Sequence, residues 1–576
     1  MKNSKNILST KVLMLAIFML TLSGCSLDEV IYDSPVVSQV LSAESDIPVV
    51  LTGLYAEQAV MFRNSQVYLP MCNSVEVGLY SNVGPTRIWL YDATEGYIRD
   101  VYQNCYRVIN NANLLLDAIG KIEFQNTDNR DQYIGEVSFI RSFAYFNLVR
   151  LFGKVPIILE PTRADMDFSL SRSSVDDVYT VIFDGFEKGS ILTQVNIADR
   201  GRIRKGAAQA LLAEAYLTYA NFLDLHGRSG EAPGYYQLAV DYADSVINSG
   251  SYSLIASYAD LFDNSQENAA YQEVIFGINF TADDSDQNGS PFPRHFAPPK
   301  MHNVSGLAPD GESSGIYGIT QWVYDLCTSG DYGMPDGTKD FRMGEIMVPT
   351  RYQDDDATIA NGEYTEVTSY PQVRNAPEDV DPSFNLPNSI KYVDPSGLSP
   401  SNHNNDYFYI RLAEIYLIKA EALNEVSGPS QEALDAINQL RYRSRNSSDV
   451  PNTIPADLVL TDVPTKEELR MKIWEERLIE LYTEGRIYFD ERRMRYSDNT
   501  RTMLQYVIED VYPTLQVGGE YKELTFNSAT NQWEGSKIYP PRVPPNGWEE
   551  KWLLWPIPSV NYSLNPGMEG DYNPGW

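Results

Sequence analysis

A chain of 576 residues that is 43% hydrophobic and 12% aromatic can bury a large core, which excludes a disordered polypeptide. Its 45 basic residues against 78 acidic ones leave a formal charge of −33, and such a surface repels nucleic acid phosphates and anionic headgroups, so no nucleic acid partner is expected. Four scattered cysteines without a Cys-x-x-Cys pair indicate neither a disulfide framework nor a zinc site.

The N-terminus reads as an export signal. Lys2, Lys5 and Lys11 precede the apolar run Val12 to Leu20, which is too short to span a bilayer and sits where a secretory signal has its hydrophobic region. Leu22-Ser23-Gly24-Cys25 resembles a bacterial lipobox, which implies cleavage before Cys25 and acylation of its sulfur and new amino group. Residues 1–24 are then a lipoprotein signal peptide, and Cys25 is the lipidated first residue of a mature chain. Residues 25–45 read as a polar tether, in which Asp28 and Glu29 resemble the surface-export signal of Bacteroidetes lipoproteins. No later stretch is long and apolar enough to span a membrane.

Residues 46–576 read as a single mainly α-helical domain with little β structure. The first helix is expected over Ile47 to Phe62, followed by an irregular stretch, Arg63 to Thr94, whose aromatics argue for order. Helices are then expected over Tyr97–Ile119, Arg130–Phe152, Val175–Ser190, Ile203–Phe222 and Tyr235–Asn248, with Gly120, Gly153 and Gly250 placed as C-terminal caps. Lys205–Ala220 and Tyr409–Leu423 are apolar or small almost all round, so each packs on several sides. Each is followed by a shorter amphipathic helix, and the recurrence predicts tetratricopeptide-like hairpins stacked into a scaffold covering about 46–250 and, after an interruption, about 406–576.

Between them, residues 271–405 are rich in Pro, Gly, Asn and Asp, with one strand expected at Glu273–Phe280 and a helix at Thr320–Cys327. This is the expected ligand face. The last helices are expected over Thr465–Glu484 and Arg486–Met494, before a tail dominated by Pro, Gly, Tyr and Trp.

Several ordered stretches resemble the SusD/RagB family of Bacteroidetes outer-membrane nutrient-binding lipoproteins. They are Gly135-Glu136 through Phe139, Arg141, Tyr145-Phe146 and Leu148 to Gly153; Arg172-Ser173-Ser174-Val175; Gly201-Arg202 with Lys205-Gly206; Arg411 to Ala422; Glu475-Glu476-Arg477 with Glu484-Gly485-Arg486 and Phe489-Asp490; and Trp555-Pro556-Ile557-Pro558 with Asn565-Pro566-Gly567. The resemblance implies a SusD-like fold: a tetratricopeptide-like scaffold with long loop-rich insertions and no catalysis. It also implies a SusC-like TonB-dependent transporter as partner and a glycan or other nutrient as ligand. A receptor for peptide or host glycoprotein fragments would share every one of these motifs, and a surface glycan-degrading enzyme is the alternative from another class.

A sugar presents an apolar face and a rim of hydroxyls, so its site needs flat aromatics and planar polar groups. Tyr80, Asn82, Arg87, Trp89 and Tyr91 supply that mixture on the first irregular stretch, and Phe292, His295, Phe296 and Tyr317 are candidates on the second. Asp284, Asp286 and Asn288, with Gly289, copy the first half of a calcium loop, but His295 stands where the bidentate glutamate belongs, so the stretch reads first as a solvated acidic turn; no cofactor is expected, and a structural calcium here is the one candidate. Gly311-x-Ser313-x-Gly315 matches a hydrolase nucleophile elbow in letters only, since Pro309 and Asp310 stand where the buried strand should be.

Overall fold

The computed structural model describes residues 41–64, 73–79, 89–283 without 164, 168 and 195–198, 288–296, 317–333 without 329, 340–343, 402–448, 451–515 and 544–576, with shorter pieces between. The signal, Cys25 and most of the tether lie outside the described residues, as does the Gly311 to Gly315 turn.

Helices follow where the sequence is locally periodic and capped. They are α1 (Ile47–Asn64), α2 (Gly96–Ile119), α3 (Thr127–Phe152), α4 (Val175–Leu192), α5 (Lys205–Leu225) and α6 (Ala232–Ile247). Ser174 caps α4 by accepting from the Asp177 N–H at 3.1 Å, and Asn126 caps α3 through the Asp128 N–H at 2.9 Å. Gly153 ends α3 at φ +67°, a conformation that a side chain resists. Gly120 ends α2 at an ordinary helical φ of −64°, so its role there needs no glycine.

Each helix packs against the next: α1 on α2, α2 on α3, α3 on α4, α4 on α5 and α5 on α6. The stack then passes to α8 (Leu412–Ser427), which packs against α6 and carries α9 (Gln431–Arg445) and α10 (Lys466–Glu480). Between the two halves of the stack comes α7 (Gln321–Thr328), and after α10 comes the short α11 (Ile487–Arg493). Small residues set the spacing. A Cβ on Gly185 of α4 would overlap Ser142 Oγ and come within 2.7 Å of the Ser138 carbonyl on α3. Gly185→Ala is therefore expected to destabilise the protein by about 1–3 kcal/mol. Gly53→Ala, which meets open space, should be neutral or slightly stabilising. Urea unfolding of the two variants checks this; equal midpoints would contradict the close α3–α4 approach.

The strands are short and pair in two-stranded antiparallel ribbons: β1 (Val77–Leu79) with β3 (Tyr317–Ile319), β2 (Val274–Ile278) with β6 (Tyr407–Arg411), β4 (Arg351–Tyr352) with β5 (Thr365–Glu366), and β7 (Thr525–Asn527) with β8 (Gln532–Glu534). Strand β6 is a departure from the sequence reading, which ran a helix from Tyr409. Tyr407-Phe408-Tyr409-Ile410 are aromatic and β-branched residues suited to a pleated surface, and all are buried against β2. The helix begins only at Leu412, after Arg411 in an extended conformation.

The β2–β6 ribbon lies at the centre of an aromatic core. Phe143 meets Tyr409 at 4.7 Å, Phe276 at 5.4 Å and Phe62 at 5.6 Å between ring centroids, which joins α3, both strands and α1. The C-terminal tail is fastened to the scaffold rather than trailing from it. Asn565 accepts from the Leu170 N–H and donates to the Leu170 carbonyl, both at 2.8 Å, and Gly567 sits so close to the Ser169–Leu170 backbone that a Cβ would come within 2.8 Å of it. Trp555 is buried, and Asn573 donates to the carbonyls of Phe152 and Trp555.

Candidate functional site

Two loop-rich stretches far apart in sequence meet at β1 and β3. Val77 pairs with Ile319 and Leu79 with Tyr317, so the chain entering Tyr80 runs beside the chain that carries Tyr317. The segment below β1 is anchored from several directions. The Val75 N–H donates to Glu491 Oε1 at 2.7 Å, Thr320 Oγ1 donates to the Val75 carbonyl at 2.7 Å, and Glu76 Oε2 accepts from the Thr483 N–H at 2.9 Å. Residues 73–77 are buried throughout, giving the loop face a rigid base.

That anchorage has a pH signature. Burial pushes Glu76 up to about 8, against the Thr483 N–H and Lys391, and burial pushes Glu491 up to about 8, against the Val75 N–H and Arg492. Asp490 adds repulsion at both, Glu76 adds it at Glu491, and Tyr512 faces Glu491. Both carboxyls hold their protons in the folded state at neutral pH, whereas in the unfolded chain they ionise above about 4.5. Their contribution therefore falls as pH rises from about 4.5 to about 8, by up to ~1.4 kcal/mol per pH unit for each group. Glu491→Gln keeps an acceptor for Val75 and removes one titration, so its thermal midpoint should decline less than wild type between about pH 6 and about 8. Parallel declines would contradict this.

The expected stacking residues are seated inward. Trp89 is 1% exposed, adopts φ +60°, and packs edge-on against Trp552 at 5.2 Å, while Tyr91 stacks on Trp576 at 5.4 Å. These two rings pin the loop to the C-terminal tail and present no face to a ligand. Phe292 and Phe296 are likewise buried, within 5.2 and 5.5 Å of Tyr392, and support the face from below. The reason is common to all four: a large ring beside an aromatic core gains more from burial than from exposure. His295 is half-buried on the one-turn helix Phe292–Phe296, and Tyr317 is placed by its backbone in β3. Tyr80, Asn82 and Arg87 lie outside the described residues, as do Asp284 and Asp286 of the calcium half-loop. Asn288 donates to Asp283 Oδ2 at 2.6 Å, and Gly289 is pressed against Asn402, where a Cβ would come within 2.5 Å of its Cα. Among the described residues no group of three or more His, Cys, Asp or Glu is placed to hold a metal.

Beside this face opens a cleft of about 860 Å³, bounded by α1, the 199–202 turn, the end of β2 and Asp406. Arg63, at the end of α1, donates through Nε to the Gly289 carbonyl at 3.1 Å and so ties the cleft to the loop face. Asp406 is buried in its wall and accepts from Tyr271 Oη at 2.8 Å, the Phe280 N–H at 3.0 Å and Asn279 Nδ2 at 2.5 Å. Burial and neighbouring Glu267 push it up to about 7. The sequence reading did not name Gln58, Asn279 or Asp406, because a polar residue on an amphipathic helix or at a strand end carries no local mark of facing a cleft.

The architecture is thus a tetratricopeptide-like helical scaffold that carries a loop-built face. The family model described as the SusD family matches residues 272–576, and a second, described as starch-binding associating with outer membrane, matches residues 27–217. The chain belongs to the SusD family. SusD-like protein P2 of Formosa agariphila is 27% identical over 407 residues, spanning 69% of this chain and 72% of the relative. A solved SusD homolog from Bacteroides thetaiotaomicron has a similar fold, with a TM-score of 0.70 at 20% identity, covering 94% of this chain and 99% of that one. A laminarin-binding SusD-like protein is similar with a TM-score of 0.61 at 19% identity, covering 92% of this chain and 99% of that one.

Proposed function

We propose that the protein is a glycan-binding lipoprotein of the outer-membrane surface, which captures oligosaccharide on its loop face and hands it to a TonB-dependent outer-membrane transporter. The observation that carries this reading is the β1–β3 pairing, which gathers two loop-rich stretches onto one rigid base beside a cleft. The family description and the laminarin-binding neighbour support a glycan as ligand. Acyl chains on Cys25 keep the body at the membrane, and the tether raises its local concentration beside the transporter, so modest affinity suffices.

Binding is favoured over catalysis by the state of the carboxylates. A glycosidase needs two carboxyl groups flanking an open cleft, one of them with a raised pKa and free to move a proton. Asp406, in the cleft wall, has a raised pKa but is buried, as are Glu76 and Glu491, and the Asp406 oxygens are engaged by Tyr271, Asn279 and the Phe280 N–H. The test is calorimetric titration of a soluble form beginning at Ser26 with a polysaccharide panel, run beside an assay for reducing-sugar release. Saturable binding without release is expected. Release of reducing ends, or no binding across the panel, would overturn the proposal.

A further inference from the structure

The cleft beside the loop face also carries information about the class of ligand, an inference that rests on the glycan-binding role just proposed. Its lining holds three guanidiniums, Arg63, Arg200 and Arg202, and three carboxylates, Asp199, Asp283 and Asp406. The guanidiniums are already engaged. Arg202 donates to buried Glu136 through both Nε, at 3.1 Å, and Nη2. Arg200 donates to Glu267 at 2.7 Å and lies 3.5 Å from Asp406, and Arg63 is bonded to the Gly289 carbonyl. Among the described residues, Glu136 and Glu267 join the lining acids Asp199 and Asp283 to set four carboxylates against three cations, and Asp406, pushed up to about 7, adds part of a further negative charge. An incoming anion would meet a surplus of negative charge, on a chain whose formal charge is −33.

Hydroxyl groups fit this wall, because each can donate to a carboxylate and accept from an amide or guanidinium. Gln58 supplies an independent sign of a missing polar partner. It is 2% exposed, lines the same cleft, and its Nε2 has no acceptor among the described residues. The volume lies within the range of small-ligand sites.

We infer that the cleft between α1, the 199–202 turn and the end of β2 is a subsite for neutral oligosaccharide that discriminates against uronate and sulfate-ester glycans. The same geometry sets the variants that test it. Ala56 is exposed on α1 and lines the cleft, so Ala56→Trp fills the space from outside the core. Gln58→Met keeps the side-chain volume and removes the amide.

Wild type and both variants are titrated with neutral fragments of β-glucan, xylan, mannan and starch, and with oligogalacturonate and sulfated galactan fragments of matched length, at low and moderate salt. Thermal midpoints establish that the variants are folded. At least one neutral probe should bind wild type, weakened about tenfold or more by Ala56→Trp and roughly two- to tenfold by Gln58→Met. Every acidic probe should bind more weakly than that neutral one, at low salt as well. Tighter binding of an acidic probe, or neutral binding unchanged by folded Ala56→Trp, overturns this inference and leaves the glycan-binding role standing. Failure of wild type to bind any probe overturns both.

Discussion

Arg411→Met is expected to destabilise the protein by about 3–5 kcal/mol, a large fraction of the stability of an ordinary domain. Arg411 is buried where the β2–β6 ribbon meets α8 and α10, and its guanidinium is the hub of a charge network. Nε donates to Glu484 Oε2 at 2.8 Å, Nη1 to Glu273 Oε1 at 2.8 Å and Glu480 Oε1 at 2.6 Å, and Nη2 to Glu484 Oε1 at 2.9 Å and the Glu480 carbonyl at 2.7 Å. Burial by itself would raise Glu480, but Arg443, Arg411 and Arg342 overcome it and hold the carboxyl well below its ordinary value. Removing one cation leaves buried carboxylates short of a partner, which costs far more than the intact network contributes. Glu480 and Glu484 are both held below their ordinary values, so their contribution is present above the ordinary carboxylate pKa and is lost as pH falls through their lowered folded values. Chemical denaturation at neutral pH checks the prediction, and a loss under about 1 kcal/mol would show that the network relaxes around the gap.

The second large effect concerns location. If Cys25 is lipidated as proposed, Cys25→Ser removes the sulfur that the acyl transfer needs, and with it acyl chains that would each contribute about 0.8 kcal/mol per buried CH2. Fractionation of cells carrying the variant should move the protein from the outer-membrane fraction to soluble fractions, and metabolic labelling with a palmitate analogue should fall to background. A variant that still sediments with the membrane and retains label would rule out Cys25 as the anchor.

The helices were legible because their signals are local. Gly153 after α3 and the nearly all-round apolar run of α5 lie within a few turns of the structure they specify, and the expected helix bounds agree with the observed ones to within a few residues, though the Asn126 cap that starts α3 at Thr127 was not read. Strand β6 was not legible, because its partner β2 lies more than a hundred residues earlier and Tyr407 to Arg411 runs without a break into a leucine-rich helix. The same limit applies at the candidate face. Choosing aromatics for their chemistry found Trp89, Tyr91, Phe292 and Phe296, whose burial depends on Trp552, Trp576 and Tyr392 elsewhere in the chain. Expecting the two irregular stretches to serve recognition together rested on composition, and their physical meeting at β1 and β3 emerges only from the fold. The family motifs are explained as scaffold. Arg150 and Arg486 share Glu214, and Arg477 joins Glu414 to Asp490, all in the interior.

Hydrogen exchange of the soluble protein, with and without a saturating glycan found in the panel, tests the central claim most directly. Ligand should slow exchange in 47–63, 73–79 and 288–296 and in β3 with α7, while α4, α5 and α9 stay unchanged. Protection confined to those three scaffold helices, with none at the two joined loop stretches, would contradict the account.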